Sequence, residues 1–190
     1  MNSQASERRR IRKLRRELSP RQRKALSRKM CTRLRKLPEF NHSRSIAAYI
    51  PFGGEIDPSL LIKNPALSSK RFFHPIIDRM GHRMFFVPAK ERVRKNRFGI
   101  HEPLFSNGSQ HFARKLDLVL MPLVAFDKNG HRIGAGGGYY DHCFQHRTGF
   151  HHKPVLVGIG YDFQELPSIT PNPWDVKLDA VVTPTRTLFF

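Results

Sequence analysis

The sequence predicts an α/β sandwich with a mostly parallel central sheet, and three observations carry that prediction. Runs over residues 45–50, 118–126, 155–160 and 179–183 are mostly apolar, as strands covered on both faces are. Segments with helical spacing and helix-start signals alternate with them. A glycine-rich loop follows the longest run, at the end of the strands where α/β sheets bind ligands.

The elements follow in chain order. Residues 6–18 are mostly charged, with Ile11, Leu14 and Leu18 at helical spacing, which predicts a short helix held by a thin apolar stripe. Ser19-Pro20-Arg21-Gln22 reads as a helix start, with Ser as N-cap, Pro at the first position and Gln closing a capping box. Leu26, Met30, Leu34 and Leu37 form one face of that helix, Cys31 joins the core edge, and Pro38 ends it. A strand over 45–50 is closed by Pro51, and a loop over 53–58 leads into a short helix over 58–63 capped by Asp57. Strands are predicted over 71–77 and 83–87, and residues 97–103 read as irregular. A central strand over 116–126, a helix over 139–147 and strands over 155–160 and 179–183 complete the chain.

A chain of 190 residues suits one domain, 1–190, here with residues 1–18 as a basic N-terminal arm. The net charge is +19 and the isoelectric point near 10.9. Residues 1–36 carry 15 of the 34 Lys/Arg and 2 of the 15 acids, a surplus of 13; the remaining residues carry 19 against 13. Such an arm points to polyanions, whether nucleic acid, acidic membrane or a polyanionic substrate. Two cysteines, Cys31 and Cys143, are too few for a disulfide framework and suggest a reducing cytoplasm. No apolar stretch reaches membrane-spanning length, and the N-terminus lacks the apolar segment of a secretory signal.

The stretch that concentrates chemistry is Leu116–Gln145. Asp127-Lys128-Asn129-Gly130 is a turn signal, followed by Gly134, Gly136, Gly137 and Gly138 and then Tyr139-Tyr140-Asp141. Glycines let the backbone approach a ligand and aim several N–H groups at one anion, and a helix start beyond adds positive partial charge; a phosphate is the natural guest. The known phosphate fingerprints fail: no Gly-Lys-Ser/Thr follows, and the sixth position counted from Gly134 is Tyr139 rather than glycine. Asp127, Asp141 and Asp175 are candidate metal ligands, Asp127 equally a turn residue whose carboxylate bonds nearby N–H groups. Tyr139 and Tyr140 suit either the core or a stacking face beside the loop. His142, Cys143 and His146 do not make a zinc site, because their spacing cannot aim all three at one ion from a helix and a fourth ligand is missing.

FDKNGHRIGAGGGYYD, residues 126–141, resembles the signature of the 5-formyltetrahydrofolate cyclo-ligase family, FD-x-x-G-x-R-x-G-x-G-x-G-Y-Y-D. YIPFGGEID at 49–57, RFGIHEP at 97–103, VGIGYDFQ at 157–164 and PWDVKLDAVVTP at 173–184 resemble further family elements in the right order, bringing Gln164 and Asp175 into the pattern. The resemblance implies a three-layer, Rossmann-like α/β sandwich. It implies ATP- and Mg2+-dependent closure of 5-formyltetrahydrofolate to 5,10-methenyltetrahydrofolate with release of ADP and phosphate, on folates that are often polyglutamylated. It also implies site residues. Arg132 and Tyr140 would serve catalysis. ATP would meet Arg8, Arg132, Gly134, Gly136, Gly137, Gly138, Tyr139 and Tyr140. Ile50, Glu55, Gly136, Gly137, Gly138 and Tyr139 would meet the reduced folate, and Asp141 and Asp175 the Mg2+. A cytoplasmic monomer with no membrane partner is the expectation.

The chain departs from the family pattern at cations. Many members carry Lys or Arg inside the glycine loop, where this chain has Ala135 and Gly137; Gln4 stands where many have Lys, four residues before Arg8. The phosphates still need neutralising, so Arg8 and Arg12 are expected to fold over the nucleotide in compensation. The alternative function is a nucleic-acid binder using residues 1–36, since phosphate contacts need only Lys and Arg. That segment lacks interleaved aromatics for base stacking and leaves the glycine loop unexplained.

Overall fold

The computed structural model describes residues 4–77, 83–90, 93–95, 101–104 and 111–190. Its elements are α1 (Gln4–Glu17), α2 (Pro20–Leu34), α3 (Pro38–His42), β1 (Ser45–Ala48), α4 (Ser59–Ile62), β2 (Arg71–Ile77), β3 (Met84–Pro88), β4 (Val93–Lys95), β5 (His101–Pro103), β6 (Leu118–Pro122), β7 (Ala125–Phe126), β8 (Arg132–Ile133), α5 (Tyr139–Phe144), β9 (Val155–Ile159), β10 (Ala180–Val182) and β11 (Thr187–Phe189). The main sheet has the order β11-β10-β9-β6-β1-β2-β3. Its five inner strands are parallel, and β3 and β11 close the edges antiparallel.

Strand alternation sorts the core into layers. Ile46, Ala48, Leu118, Leu120, Val157, Ile159, Ala180 and Val182 face α2 and Phe40, where Met30, Cys31 and Leu34 cover them. Their neighbours Ala47, Val119, Met121, Leu156 and Val181 face the other side, with Phe144 of α5, Phe86 and Leu178. Helices on both faces of a mostly parallel sheet make the three-layer arrangement that the sequence predicts. α2 starts with the predicted capping box: Gln22 N–H donates to Ser19 Oγ at 3.2 Å, and Ser19 N–H to Gln22 Oε1 at 2.8 Å. Burial pushes the Cys31 thiol up to about 12, so it packs as a neutral group, as a core-edge cysteine should. The described residues contain no helix long and apolar enough to cross a membrane.

Several boundaries differ from expectation. The run over 116–126 is not one strand. β6 ends at Pro122, which has no N–H to extend the ladder, and the buried Gln164 amide donates to the carbonyls of Leu123 (2.9 Å) and Val124 (2.8 Å). The chain turns there, and β7 pairs with β8 as a hairpin through residues 127–131. The helix over 139–147 stops at Phe144, with a 3-10 turn at Arg147–Gly149. At six residues α5 contributes little of the helix-end charge expected at the glycine loop. Residues 101–103, expected to be irregular, pair with β4, while 96–100 lie outside the described residues, as do 78–82 between β2 and β3. α2 stops at Leu34 with its C-cap at Arg35, short of Pro38, which instead starts α3, and β11 was not anticipated.

α1 is no free arm. Ile11 is fully buried among Val124, Ala125, Ile133, Leu166 and Ile169. Arg15, in the same helix, keeps only 4% of its surface exposed.

Asp127 is a structural residue of the β7–β8 turn. Its Oδ1 accepts from the N–H groups of Asn129 (2.9 Å) and His131 (3.0 Å), and Oδ2 from Ile169 N–H (2.9 Å). Burial raises its pKa, but those donors and the His131 ring outweigh it and hold the carboxyl below the usual range. The stability this contributes is present above the unfolded value of about 3.9 and is lost as pH falls through the lower folded value. Asp127→Asn turns an NH2 group toward at least one of these donors. It is expected to cost about 1–3 kcal/mol, checked by denaturant unfolding at neutral pH; an unchanged midpoint would contradict this account of the turn.

Candidate active site

The strand order reverses between β1 and β6: the chain leaves β1 toward β2 on one side and returns through β6 on the other. Loops at the carboxyl ends of two such strands diverge and leave a crevice. Here that crevice is a cleft of about 1100 Å³. Its lining includes Tyr49, Ile50, Phe52 and Glu55 after β1, Pro122 at the end of β6, and Ile76, Ile77, Met84 and Phe85 from the β2–β3 edge. The glycine loop Gly134–Gly138 adds another wall, continued by Tyr139, Tyr140 and Asp141. Gln4, Arg8, Arg94, Arg132, Asn172, Trp174 and Asp175 also line it.

The β7–β8 hairpin is what delivers the loop. Arg132 lies on its second strand with its side chain 4% exposed, and its Nη2 donates to Asp141 Oδ1 at 2.7 Å. Gly134 makes room for it: a Cβ there would fall 2.8 Å from Arg132 Nη1. Gly136 (φ +114°) and Gly138 (φ +64°) hold backbone conformations that side chains rarely adopt, and a Cβ at either would meet no protein atom within 4 Å. The loop surface at those positions is therefore open to a ligand. At Gly137 the Tyr139 ring lies over the backbone, 2.6 Å from where a Cβ would be.

Helix α1 braces the loop from outside. Arg8 Nε donates to the Gly134 carbonyl at 2.9 Å, and Arg12 Nη2 to the Ala135 carbonyl at 3.0 Å. Arg8 lines the cleft; Arg12 does not, and its guanidinium holds the loop without facing the cavity. Further along, Arg15 Nη1 lies 3.5 Å from Glu55 Oε1.

Glu55 also accepts from Phe52 N–H at 3.1 Å. Burial pushes its carboxyl up; the Phe52 N–H and the Arg15 guanidinium pull it back only in part, so it stays above the ordinary value. Burial likewise raises the Tyr140 phenol well beyond its ordinary range, so at neutral pH it is a hydrogen-bond donor and not a base. The Tyr140 ring stacks on Phe144 at a centroid distance of 6.5 Å.

Asp141 is tied to the segment that carries Asp175 through the backbone. Asp141 Oδ1 accepts from the N–H of Val176, the residue after Asp175, at 3.1 Å. Asp175 Oδ2 accepts from Asn172 N–H (2.8 Å) and Nδ2 (3.1 Å). Two hard-oxygen carboxylates in an open cleft fit Mg2+, which takes one or two carboxylates and completes its shell with water and phosphate oxygens. Among the described residues no cluster of three or more His, Cys, Asp or Glu is placed to hold a metal.

Of the residues singled out from sequence, Arg8, Ile50, Glu55, Arg132, Gly134, Gly136, Gly137, Gly138, Tyr139, Tyr140, Asp141 and Asp175 share this one cleft. Sequence reasoning missed Arg94, Asn172 and Trp174 on its lining and Arg15 behind Glu55. The position of Arg15 seven residues after Arg8 was the available signal, obscured by the charge around it.

Comparison with known proteins agrees with the geometry. The 5-formyltetrahydrofolate cyclo-ligase family model matches residues 1–184. The 5-formyltetrahydrofolate cyclo-ligase of Escherichia coli K12 is 34% identical over 180 residues, covering 93% of this chain and 97% of that protein. The Haemophilus influenzae protein of the same name is 32% identical over 172 residues, covering 88% and 90%. Among solved structures, the NMR structure of Aquifex aeolicus 5,10-methenyltetrahydrofolate synthetase matches 98% of this chain and 92% of that one, with a TM-score of 0.78 and 29% identity. A Mycoplasma pneumoniae 5,10-methenyltetrahydrofolate synthetase shares the fold at a TM-score of 0.75 and 22% identity, over 96% and 99% of the two chains. With the signature at 126–141 forming one wall of a cleft at the switch point of the sheet, and with relatives covered nearly end to end, the chain belongs to the 5-formyltetrahydrofolate cyclo-ligase family of ligases.

Proposed function

We propose that this chain closes 5-formyltetrahydrofolate to 5,10-methenyltetrahydrofolate with consumption of ATP and release of ADP and phosphate. One observation carries the reading: the open glycine loop, Arg8 and Arg132, the Asp141–Asp175 pair and the Ile50–Glu55 loop all line the same cleft. The reaction needs a phosphoryl group and a pterin in contact, and a shared cleft supplies that contact.

The formyl oxygen attacks the γ-phosphorus, the bond to the ADP oxygen breaks, and an imidate phosphate forms. N10 then attacks the activated carbon and gives up its proton, and phosphate leaves as the ring closes. In this reading the N–H groups of Gly134–Gly138 and the Arg8 and Arg132 guanidiniums hold phosphate oxygens. Arg132, fixed by Asp141, faces the charge that develops during transfer. Tyr140, a neutral phenol, donates a hydrogen bond to a phosphate oxygen, and Tyr139 offers a ring face beside Gly137. Glu55 accepts from N–H groups on the pterin edge, with Ile50 alongside. Asp141 and Asp175 would hold the Mg2+, which when bound neutralises phosphate charge. The reading takes residues 1–190 as one cyclo-ligase domain, working as a monomer in the cytoplasm, with polyglutamylated folates among its substrates.

The test is a mixture of protein, ATP, Mg2+ and 5-formyltetrahydrofolate followed by methenyl absorbance and ADP release. Equal amounts of methenyl product and ADP are expected; folded protein giving neither across several pH values would refute the reading. Within it, Glu55→Gln is expected to weaken folate binding about tenfold, one charge-assisted hydrogen bond's worth, and ATP binding much less. Equal losses for the two ligands on titration would count against a pterin contact.

The nucleic-acid alternative keeps one supporting observation. Arg21, Lys24, Arg28, Lys29, Arg35 and Lys36 are exposed on or just after α2, and none of them lines the cleft. Binding there would be an additional property rather than a replacement for the ligase.

A further inference from the structure

We propose that Arg15 is a positioning residue: through Glu55 it fixes where the folate-side carboxylate sits, and it ties that side of the cleft to the helix that braces the glycine loop. The proposal rests on the reading of Glu55 as a folate contact.

The geometry is specific. Arg8, Arg12 and Arg15 recur on one side of α1, at spacings of four and three residues, and reach in turn the Gly134 carbonyl, the Ala135 carbonyl and Glu55. Unlike Arg12, Arg15 is almost wholly buried. A buried guanidinium costs several kcal/mol unless it is paired and hydrogen-bonded. Arg15 is poorly satisfied among the described residues: its buried Nε meets no partner there, and its contact to Glu55 is at the long limit of a hydrogen bond. A buried charge held this loosely calls for an explanation. The loop that carries Glu55 sits directly on this part of α1. Gly54 (φ +79°) lies where a Cβ would approach the Arg15 carbonyl oxygen to 3.0 Å, and Tyr161 Oη donates to the Gly54 carbonyl at 3.2 Å.

The groups acting on Glu55 are few. Arg15 and Arg12 attract it from α1, and Phe52 N–H bonds it from its own loop. The phenols of Tyr49 after β1, Tyr140 on α5 and Tyr161 after β9 interact with it as well. Burial raises its carboxyl, and after the Phe52 N–H the Arg15 charge is the main opposing influence. Removing that charge leaves less carboxylate at a given pH. Folate recognition then weakens, and it recovers as the pH rises.

The test compares the full-length protein with Arg15→Met, Arg15→Lys, Glu55→Gln and the Arg15→Met/Glu55→Gln double variant. The readings are KM for 5-formyltetrahydrofolate and for ATP between pH 5.5 and 9, with thermal unfolding alongside. Arg15→Met is expected to move the acidic limb of kcat/KM for folate up by about one pH unit, so that the folate defect approaches about tenfold only below the limb. ATP KM should change less than twofold, and the folate defect should shrink toward pH 9. Arg15→Lys keeps the charge at shorter reach and should move the limb the same way by less. In the Glu55→Gln background, Arg15→Met should add less than twofold. An unmoved limb in Arg15→Met, whatever its melting temperature, overturns the proposal, as does an additive double variant. If Arg15→Met does not fold, an unmoved limb in Arg15→Lys overturns it. Glu55→Gln with normal folate KM would instead remove the folate reading of Glu55 on which the proposal stands.

Discussion

Asp141→Asn is expected to lower kcat/KM by roughly 10²–10³, the size of effect that follows loss of one preorganised electrostatic group at a reacting centre. In the proposed reading the carboxylate has two roles. It would bind the Mg2+ with Asp175, and it fixes Arg132 through a 2.7 Å contact. Asparagine keeps the size but removes the charge, so the Arg132 guanidinium loses its counter-ion while its Nε already lacks a partner among the described residues. The variant should therefore also lose stability, by about 1–3 kcal/mol for a charged group left unsatisfied. Mg2+ dependence separates the two effects. Activity per folded molecule should need far more Mg2+ than the parent protein does. Near-normal turnover at limiting Mg2+, in a protein that is merely less stable, would make Asp141 a structural partner of Arg132 and nothing more.

Arg8→Met is expected to raise KM for ATP by one to two orders of magnitude with less than a threefold change for folate. The chain has Gln4, Ala135 and Gly137 where the resembled family pattern has cations, so in the proposed reading Arg8 and Arg132 carry more of the phosphate charge. A charge-assisted hydrogen bond from Arg is worth about 1.5–3 kcal/mol, which is that range of affinity. Arg8 lines the cleft, whereas Arg12 holds the Ala135 carbonyl without lining it, and Arg94 on β4 is a further cation on the lining that sequence reasoning did not anticipate. Deletion of residues 1–18 would test the same idea poorly. It removes Ile11 from the cluster with Val124, Ala125, Ile133, Leu166 and Ile169, and a large buried apolar side chain costs about 2–5 kcal/mol when lost. The point variant keeps that cluster. If folded Arg8→Met shows unchanged ATP dependence, α1 supports the loop but does not bind nucleotide.

What the sequence made legible, and what it hid, follows from the range of the interactions involved. The parallel core was readable because strands buried on both faces need continuous apolar runs, and Ile46–Ala48, Leu118–Met121 and Leu156–Ile159 are such runs. The α2 start was readable because Ser19 and Gln22 satisfy each other within one turn. The break after Pro122 was not. Leu123, Val124, Ala125 and Phe126 are as buried as a strand, and the amide that satisfies two of their carbonyls comes from Gln164, some forty residues away. The site shows the same division. The glycine loop, Tyr139, Tyr140 and Asp141 are local in sequence, and the signature announced them. The Arg15–Glu55 contact spans 40 residues, and Arg15 stands among ten residues dominated by exposed arginine and lysine. Its burial depends on a loop whose approach is set by Gly54, which no spacing rule encodes.

The central claim is that the cleft brings the formyl oxygen onto the γ-phosphate of ATP. Following the oxygen tests it most directly. 5-Formyltetrahydrofolate labelled with ¹⁸O in the formyl group is turned over with unlabelled ATP and Mg2+, and the released phosphate is analysed by mass. The account predicts one ¹⁸O atom in each phosphate, because the formyl oxygen leaves as part of it. Methenyl product accompanied by unlabelled phosphate, with the label in water, would contradict it.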